Sequence, residues 1–330
     1  MSKLILGIDT SCDDTSASVV ADGKDICSNI VSSQESIHRK YGGIVPELAS
    51  RRHIEMIWPV VDEALQSAKV KLEHLSAIAV CHGPGLIGSL LIGCSFSKAV
   101  SFARGIPLVC VNHLEGHIFS CFLGDKQPEF PFLSLIVSGG HTSLYRVDGF
   151  GRYKELGRTR DDAAGEAYDK VSKLLGLGYP GGPAIDSHAQ EGDRGAVDFP
   201  RPFLPESLDF SFSGLKTAVA NYLKYGQPVS VNDICASFQQ AVVDVLVKKT
   251  EWALRKERVK RIAVSGGVAA NSALRRELGR LAAEEEVEVF VPSLPFCTDN
   301  AAMIAAAGYH HYMIHDTAGL DLNPVAYLPL

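Results

Sequence analysis

Residues 4–23 read LILGIDTSCDDTSASVVADG, and residues 132–149 read FLSLIVSGGHTSLYRVDG. Each segment contains a short apolar run, a small polar loop, a second run and an Asp-Gly turn. Short apolar runs bounded by turn residues predict two strands joined through a loop. The chain therefore contains the same strand, loop and strand unit twice.

A second signature also occurs twice, each time downstream of one of these units. IAVCHGPGLIGSLLIG at 78–93 and IAVSGGVAANSALRRELG at 262–279 lead from an apolar strand through a glycine loop into a helix. Helical periodicity occupies residues 45–65 and 234–254. Two signatures repeated in the same order predict an α/β chain built of two duplicated lobes.

This arrangement resembles the actin, sugar-kinase and Hsp70 ATPase superfamily, in which two lobes surround a nucleotide. Hairpin turns of small residues and helices that begin after glycine loops expose backbone N–H groups, which favour phosphate. We expect a first lobe at 1–130, a second lobe at 131–298, and a C-terminal helix at 299–330 that packs back on the first. A nucleotide and a metal are expected in the cleft between the lobes. The absence of G-x-x-x-x-G-K-[ST] argues against a P-loop enzyme.

Composition narrows the classes of function. The formal charge of -6 and the pI near 6.0 argue against nucleic-acid binding by overall charge, which leaves local basic clusters such as Arg51 with Arg52. There is no apolar run long enough to span a bilayer and no signal-peptide pattern, so a cytoplasmic location is predicted. The eight cysteines are never closer than eleven residues apart, which argues against a C-x-x-C zinc knuckle.

The segment NHLEGH places His113 and His117 on one face of a helix, one turn apart. Asp299, in the segment CTDNAAMIA, is a natural third ligand, and two histidines with one carboxylate suit catalytic Zn²⁺ or Fe²⁺. Two alternatives stay open: the histidines as ordinary helix residues, and Asp299 as a helix N-cap. The metalloprotease interpretation is weak, because Glu115 is not adjacent to the first histidine as H-E-x-x-H requires.

Two loops carry further candidates for chemistry. Asp13 follows the first strand, where a carboxylate can hold Mg²⁺, orient a phosphate-bearing substrate or simply cap the turn. In VSGGHT at 137–142, the glycines allow a ligand close to the backbone, and His141 can donate a hydrogen bond.

Residues 158–186 form the third candidate region. Asp162, Glu166 and Asp169 recur at helical spacing ahead of YPGGP and Asp186. The residues expected to face inward on this segment are Ala163, Ala167, Val171 and Leu174. The acids indicate either a solvated face or the wall of a sugar or adenine pocket, where carboxylates accept from ribose hydroxyls.

Taken together, the motifs closely resemble one family. They are GIDTSCDDT, YGGIVPELASRRH, GPGLIGSLLIG, NHLEGH, VSGGHT, DDAAGEAYDKVSKLLGLGYPGGP, DFSFSGLKT, SGGVAANSALR and CTDNAAMIA. The combination is similar to the tRNA N6-adenosine threonylcarbamoyltransferase family, bacterial TsaD type, once labelled O-sialoglycoprotein endopeptidases. The resemblance covers nearly the whole chain. It implies an acyltransferase that moves threonylcarbamoyl from threonylcarbamoyl-adenylate to N6 of the adenosine 3′ of the anticodon, in tRNAs reading ANN codons, and releases AMP.

The resemblance also implies roles for particular residues. The implied metal ligands are His113, His117 and Asp299, holding one Fe²⁺ or Zn²⁺ per subunit, with Mg²⁺ as a further candidate beside the nucleotide. The implied substrate-binding residues are Val137, Ser138, Gly139, Gly140, His141, Asp169, Gly182, Asp186 and Asn271. Asp13 and His141 are the candidate catalytic residues, and no general base is identified. The family usually has Glu at the positions of Asp9 and Asp14, which leaves direct contacts from these shorter side chains open.

The implied partners are tRNA, threonylcarbamoyl-adenylate, a paralogous TsaB-like dimerisation subunit and a small TsaE-like ATPase subunit; no membrane partner is expected. Residues 41–52 are hypothesised to form a mobile contact near the mouth of the cleft. Two other functions in the superfamily stay open. One is a small-molecule kinase that uses Asp13 or Asp14 for Mg²⁺, and the other is a non-catalytic nucleotide-binding scaffold that tolerates loss of His113.

Overall fold

A computed structural model describes residues 2–124 and 126–330 of the chain. The strands are β1 (Leu4–Asp9), β2 (Asp14–Ala21), β3 (Asp25–Ser33), β4 (Ala77–Gly83), β5 (Leu108–Asn112), β6 (Phe132–Val137), β7 (Thr142–Gly149), β8 (Arg152–Arg158), β9 (Arg261–Ser265) and β10 (Glu288–Phe290). The helices are α1 (Glu35–His38), α2 (Pro46–Ala68), α3 (Ile87–Arg104), α4 (His113–Phe119), α5 (Ala164–Leu175), α6 (Gly181–Ala189), α7 (Ser213–Tyr225), α8 (Val231–Glu257), α9 (Ser272–Glu285) and α10 (Ala301–Met313). Both strand-loop-strand units and the helices expected near 45–65 and 234–254 are confirmed.

The chain divides into two compact units. The first comprises Met1–Gln127 with Thr298–Leu330, and the second comprises Pro128–Cys297. The first unit is therefore discontinuous in sequence. Among the described residues, no helix combines the length and the apolar character needed to cross a bilayer.

The first unit is built on a five-stranded sheet in the order β3-β2-β1-β4-β5. The pairs β1–β2 and β2–β3 are antiparallel, whereas β1–β4 and β4–β5 are parallel. Because successive side chains on a strand point to opposite faces, Leu6 and Ile8 pack with Ile57 and Val61 of α2. On the alternate positions of β1 lies Gly7, where a Cβ atom would sit 2.7 Å from the backbone nitrogen of Ala305. The glycine thus allows α10 to approach the sheet closely.

The second unit repeats this topology. Its sheet has the order β8-β7-β6-β9-β10, with β6–β7 and β7–β8 antiparallel and β6–β9 and β9–β10 parallel. Leu133 and Leu135 of β6 pack in a core with Tyr168 of α5 and with Phe238 and Val242 of α8. The predicted fold class, an α/β chain with two duplicated lobes, is confirmed at the level of sheet topology.

The end of the chain differs from the expected helix at 299–330, because α10 ends at Met313. His315 adopts a positive φ of 61°, a conformation that a helix does not continue through. The segment that follows makes backbone hydrogen bonds to the first sheet instead, from Ala318 to Leu108 at 2.8 Å and from Val325 to His82 at 2.7 Å. The acceptors are the backbone oxygens of His82 in β4 and Leu108 in β5. If the helix continued, its own hydrogen bonds would use these backbone N–H groups, and the two oxygens would lose these partners.

Candidate functional site

The first candidate site is built where β5 turns into α4. Asn112 caps the helix, because its side-chain oxygen accepts a hydrogen bond from the Leu114 backbone N–H at 2.8 Å. The helix then places His113 and His117 on one face, with ring centroids 4.7 Å apart in an edge-to-face arrangement. Both histidines are buried. The prediction that His113 and His117 lie on one face of a helix, one turn apart, is confirmed.

Asp299 completes this cluster from the other end of the unit. Its Oδ1 lies 3.5 Å from Nε2 of His113 and 3.3 Å from Nε2 of His117. Asp299 is not the cap of the helix that follows it, because Asn300 is, through a 3.1 Å bond from the Met303 backbone N–H. The alternative that Asp299 serves as an N-cap is therefore wrong, and its carboxylate is directed at the histidine pair.

These three residues fit a divalent metal. Their ligand atoms all lie within 4.8 Å of one another. Metal–ligand bonds of about 2.0–2.1 Å in a tetrahedron put neighbouring ligand atoms about 3.3–3.4 Å apart, close to the 3.3 and 3.5 Å found. Within the described part of the chain, neither ring nitrogen of the buried His117 has a hydrogen-bond partner. A buried polar atom without a partner is costly, and a metal ion would satisfy Nε2.

The accessible side of the cluster is at the carboxylate. The side chain of Asp299 is 27% exposed, whereas those of His113 and His117 are 6% and 0% exposed. A ligand from solvent would therefore approach beside Asp299. Catalytic metal sites use three protein ligands and keep one position for water or substrate, and this cluster offers that arrangement.

Asp9 and Ser11 support His113 from the opposite side of its ring. Asp9 Oδ2 lies 3.4 Å from His113 Nδ1, and Ser11 Oγ lies 3.1 Å from the same nitrogen. Asp9 Oδ1 also accepts a hydrogen bond from the Ser11 backbone N–H at 2.9 Å. A carboxylate on the second ring nitrogen fixes the orientation of a metal-binding histidine. Although the Asp9 side chain is shorter than glutamate, its carboxylate reaches the site. It contacts the ring of His113 and so supports this histidine.

A second group of possible ligands consists of Asp9, Cys81 and His113. It shares His113 with the first group, so the two groups compete for one imidazole. Burial raises the pKa of the Cys81 thiol well above its usual value, which disfavours the thiolate that binds metals. The group with His117 and Asp299 is therefore the better site.

Negative charge dominates the surroundings of the histidines. Burial lowers the pKa of His113, but Asp299 and Asp9 outweigh burial and raise it to about 9. Burial and the Asp299 carboxylate raise the pKa of Asp13, and burial with Asp13 raises that of Asp14 to about 7. Carboxylates that destabilise one another in this way would be stabilised by a cation nearby.

The loop that carries Asp13 is held by a histidine that the sequence analysis did not single out. His53 of α2 is buried, and its Nδ1 lies 2.8 Å from Thr15 Oγ1. Its Nε2 lies 3.0 Å from the Cys12 backbone oxygen. Because the Nε2 partner is a carbonyl, Nε2 carries the proton and Nδ1 accepts from the threonine. The motif YGGIVPELASRRH therefore ends in a histidine that holds the loop carrying Asp13. The sequence alone did not indicate this role.

In the second unit, the loop VSGGH between β6 and β7 is tightly closed. The Ser138 backbone N–H donates to the His141 carbonyl at 2.8 Å, and the His141 backbone N–H donates to Ser138 Oγ at 3.1 Å. The first turn of α5 packs directly on this loop, because a Cβ atom at Gly165 would lie 2.8 Å from Gly139 Cα. Gly139 and Gly140 are exposed, with no atom within 4 Å of a Cβ built on either.

The acids at 162–169 divide into two kinds. Asp162 and Glu166 both pair with Lys170, at 2.7 and 2.9 Å. Asp169 instead accepts a hydrogen bond from the Gly181 backbone N–H at 2.7 Å, at the start of α6. The three acids therefore differ in their partners, and their place in a pocket wall stays a prediction. The inward position expected for Leu174 is wrong, because this residue is 40% exposed. Ala163, Ala167 and Val171 are buried as expected.

Asp186 and Asn271 are joined by a buried glutamine. Asp186 Oδ1 accepts from Gln239 Nε2 at 3.0 Å and from Ser272 Oγ at 2.7 Å, and its Oδ2 accepts from the Ser272 backbone N–H at 3.1 Å. Gln239 Oε1 accepts from Asn271 Nδ2 at 2.7 Å, and Asn271 Oδ1 caps α9. Gly182 lies half-buried in the first turn of α6, one turn before Asp186. The structure thus brings Asp169, Gly182, Asp186 and Asn271 to α6 and the start of α9.

The family model described as "TsaD: tRNA N6-adenosine threonylcarbamoyltransferase" matches residues 25–306. The chain belongs to this family.

Individual relatives support the assignment. A tRNA N6-adenosine threonylcarbamoyltransferase of Thermodesulfovibrio yellowstonii is 60% identical, covering 99% of this chain and 100% of that protein. The protein of the same name in Geotalea uraniireducens is 54% identical, covering 99% and 96%.

Two solved structures with low identity share the fold. HypF of T. kodakarensis superposes with a TM-score of 0.64 at 14% identity, covering 95% of this chain and 48% of that chain. Component A of the (R)-2-hydroxyglutaryl-CoA dehydratase of Acidaminococcus fermentans gives 0.57 at 16% identity, covering 94% and 99%. These two similarities establish the fold only.

Sequence reasoning missed three residues that support the candidate sites of this threonylcarbamoyltransferase family member. They are Ser11, His53 and Gln239. One signal was available for Gln239, which is a polar residue in the apolar stripe of α8 between Phe238 and Val242. The other residues have hydrogen-bond partners that are distant in sequence, so no local sequence pattern indicates their roles.

Proposed function

We propose that this chain transfers the threonylcarbamoyl group from threonylcarbamoyl-adenylate to N6 of the adenosine 3′ of the anticodon, in tRNAs reading ANN codons, and releases AMP. The observation that carries the proposal is full-length kinship, at 60% identity over 99% of this chain, with a protein named for this transfer. The cluster of His113, His117 and Asp299, which has the geometry to hold a divalent metal, supports the proposal.

The proposed metal is Fe²⁺ or Zn²⁺, held by His113, His117 and Asp299. Two imidazoles and one carboxylate suit either ion. When bound, the ion supplies Lewis-acid polarisation of a carbonyl or phosphoryl oxygen. Asp9 and Ser11 hold the His113 ring in the orientation that directs Nε2 at the ion. Mg²⁺ accompanying the nucleotide is a further proposal.

The second unit is proposed to bind the adenylate. The loop of Val137, Ser138, Gly139, Gly140 and His141 contacts the ligand at Gly139 and Gly140, which are exposed, since the backbone N–H groups of Ser138 and His141 are already bonded within the loop. Asp169, Gly182, Asp186 and Asn271 contact the nucleoside. The carboxylate of Asp186 offers about four acceptor positions, of which the protein uses three, so it retains capacity for a ribose hydroxyl.

In the transfer, a C–N bond forms between adenosine N6 and the carbamoyl carbon, and the bond from that carbon to the AMP phosphate oxygen breaks. The amine loses one proton, and AMP leaves with the bonding electron pair. Asp13 and His141 are the proposed catalytic residues. The raised pKa of Asp13 brings this carboxyl closer to neutral pH, as general acid–base work requires.

Several associated features complete the proposal. The partners are tRNA, a paralogous TsaB-like subunit and a TsaE-like ATPase subunit, in the cytoplasm.

Arg51 and Arg52 are exposed on α2 beside Glu47 and Glu55, and we propose that they contact tRNA. Charge reversal at both arginines should weaken tRNA binding and make it less salt-dependent; unchanged binding would remove them from the interface.

The test is nucleoside mass spectrometry of unmodified tRNA incubated with threonylcarbamoyl-adenylate, this protein and its two proposed partner subunits. The wild-type reaction should yield threonylcarbamoyladenosine, and His113→Ala should abolish it. Phe102→Ala, at an exposed position of α3, is a matched control that should leave the product unchanged. Absence of product with verified partners would overturn the proposal. Phosphorylation of a small acid or sugar in a separate assay with ATP would support a kinase instead, and nucleotide binding without turnover would support a scaffold.

A further inference from the structure

Glu115 lies between the two metal-site histidines in sequence, yet it points elsewhere. Two residues along an α-helix correspond to a rotation of about 200°, so position 115 faces away from positions 113 and 117. The Glu115 carboxylate is 6% exposed, and its Oε2 lies 2.8 Å from Nε2 of His311 on α10. Two helices of the first unit are thus joined by a partly buried contact between a carboxylate and an imidazole.

The imidazole of His311 is flanked by acids on both sides. Its Nδ1 lies 2.8 Å from Asp316 Oδ2, while its Nε2 faces Glu115. A carboxylate accepts hydrogen bonds, so the ring satisfies both neighbours only when both nitrogens carry protons. The contact with Glu115 is therefore a charge-assisted hydrogen bond between an imidazolium and a carboxylate.

The two joined helices are the ones that present the metal ligands. Helix α4 carries both histidines, and α10 begins two residues after Asp299. The buried residues of α10 are mostly alanine, with Met303 and Ile304 lying against Gly116 of α4. Small apolar side chains fill space but give little directional preference along the helix axis, whereas a charged hydrogen bond has a strict geometry.

We propose that Glu115 and His311 are positioning residues of the metal centre: their ion pair sets the axial position of α10 against α4 and so holds Asp299 beside the two histidines. This inference rests on the metal centre proposed above. It also explains the glutamate of NHLEGH without a protease mechanism.

The experiment measures Zn²⁺ affinity of the full-length chain by competition with a chromophoric chelator. Glu115→Gln and His311→Gln should each weaken Zn²⁺ binding by about tenfold, the lower end for groups that support metal ligands from outside. The double variant should be no worse than either single variant, since both remove one interaction. His315→Gln, an exposed histidine of the same segment, is the matched control and should bind as wild type.

A second readout separates positioning from simple stabilisation. Co²⁺ bound in place of Zn²⁺ has visible absorption bands that follow its ligand geometry, and Glu115→Gln should shift them, whereas lost stability alone would not. His311→Lys keeps a positive donor facing Glu115 and should recover part of the Zn²⁺ affinity. Should the glutamine variants fail to fold, His311→Lys and Asp316→Asn, which leave charge beside Glu115, allow the same two measurements.

The outcomes are distinguishable from failure of the metal centre itself. If wild type binds no Zn²⁺, or His117→Ala binds it as wild type does, the proposed metal centre is wrong. If wild type binds Zn²⁺ and His117→Ala does not, the metal centre stands. If Glu115→Gln and His311→Gln then keep wild-type Zn²⁺ affinity and Co²⁺ spectra, the ion pair only joins two helices and the positioning role is overturned.

Discussion

Replacing Asp9 with asparagine should weaken metal binding without touching a ligand. Asp9 Oδ2 lies 3.4 Å from Nδ1 of His113, and both side chains are buried. At an effective dielectric constant of about 20, unit charges at that distance interact by about 5 kcal/mol before desolvation is counted. Removal of a carboxylate that supports a metal-binding histidine lowers metal affinity by about 10–100-fold, or ~1.4–2.7 kcal/mol.

Asparagine preserves the shape of the side chain, and its Oδ1 can still accept from the Ser11 backbone N–H. Zn²⁺ affinity by chelator competition is the assay, and urea unfolding in excess chelator checks the fold of the metal-free chain. Asp25→Asn, at an exposed position at the start of β3, is the matched control. Unchanged Zn²⁺ affinity in Asp9→Asn, with affinity lost in His113→Ala, would refute the support that Asp9 gives to His113.

Three further predictions follow from the same structure. His117→Ala should reduce bound metal below detection by elemental analysis of the purified chain, because it removes a fully buried ligand; equal metal content would contradict the site. Gln239→Met should weaken AMP binding in calorimetry by about tenfold, since two hydrogen bonds that orient Asp186 and Asn271 are lost at about 0.5–1.5 kcal/mol each, whereas Gln240→Met should bind as wild type. The hydrogen bond to Glu115 is the largest cause that raises the pKa of His311, from 6.5 to about 9, so its stabilisation is complete below about pH 6.5 and is lost as the pH rises through about 9. Urea unfolding of wild type and His311→Gln should therefore differ most just below about pH 6.5 and converge by about pH 10, and a constant difference would contradict the assignment.

The repeated segments at 4–23 and 132–149 predicted both hairpins, because strand and turn preferences are local properties. The four-residue spacing of His113 and His117 was enough to predict that both lie on one face of α4, since helical geometry fixes it. The placement of Asp299 beside them came from matching a plausible third ligand to the chemistry of a metal, and the structure places it there.

Other features depend on tertiary contacts that periodicity does not encode. Glu115 and His311 are 196 residues apart in sequence, and Asp186 and Ser272 are 86 apart. Leu174 was expected inward from its spacing, but it lies near the end of α5 and faces solvent. Periodicity tells which face of an element is apolar, whereas the partner of a buried polar group is decided by how distant elements pack.

The discontinuity of the first unit sets an order of events during synthesis. A ribosome releases His113 and His117 early, but Asp299 emerges only after the whole of Pro128–Cys297. A nascent or prematurely terminated chain of residues 1–297 carries two of the three ligands and lacks the helix that packs against Gly7 of the first sheet. Such a fragment cannot assemble the three-ligand cluster, so tight binding of the proposed metal would require residues that are synthesised after Cys297.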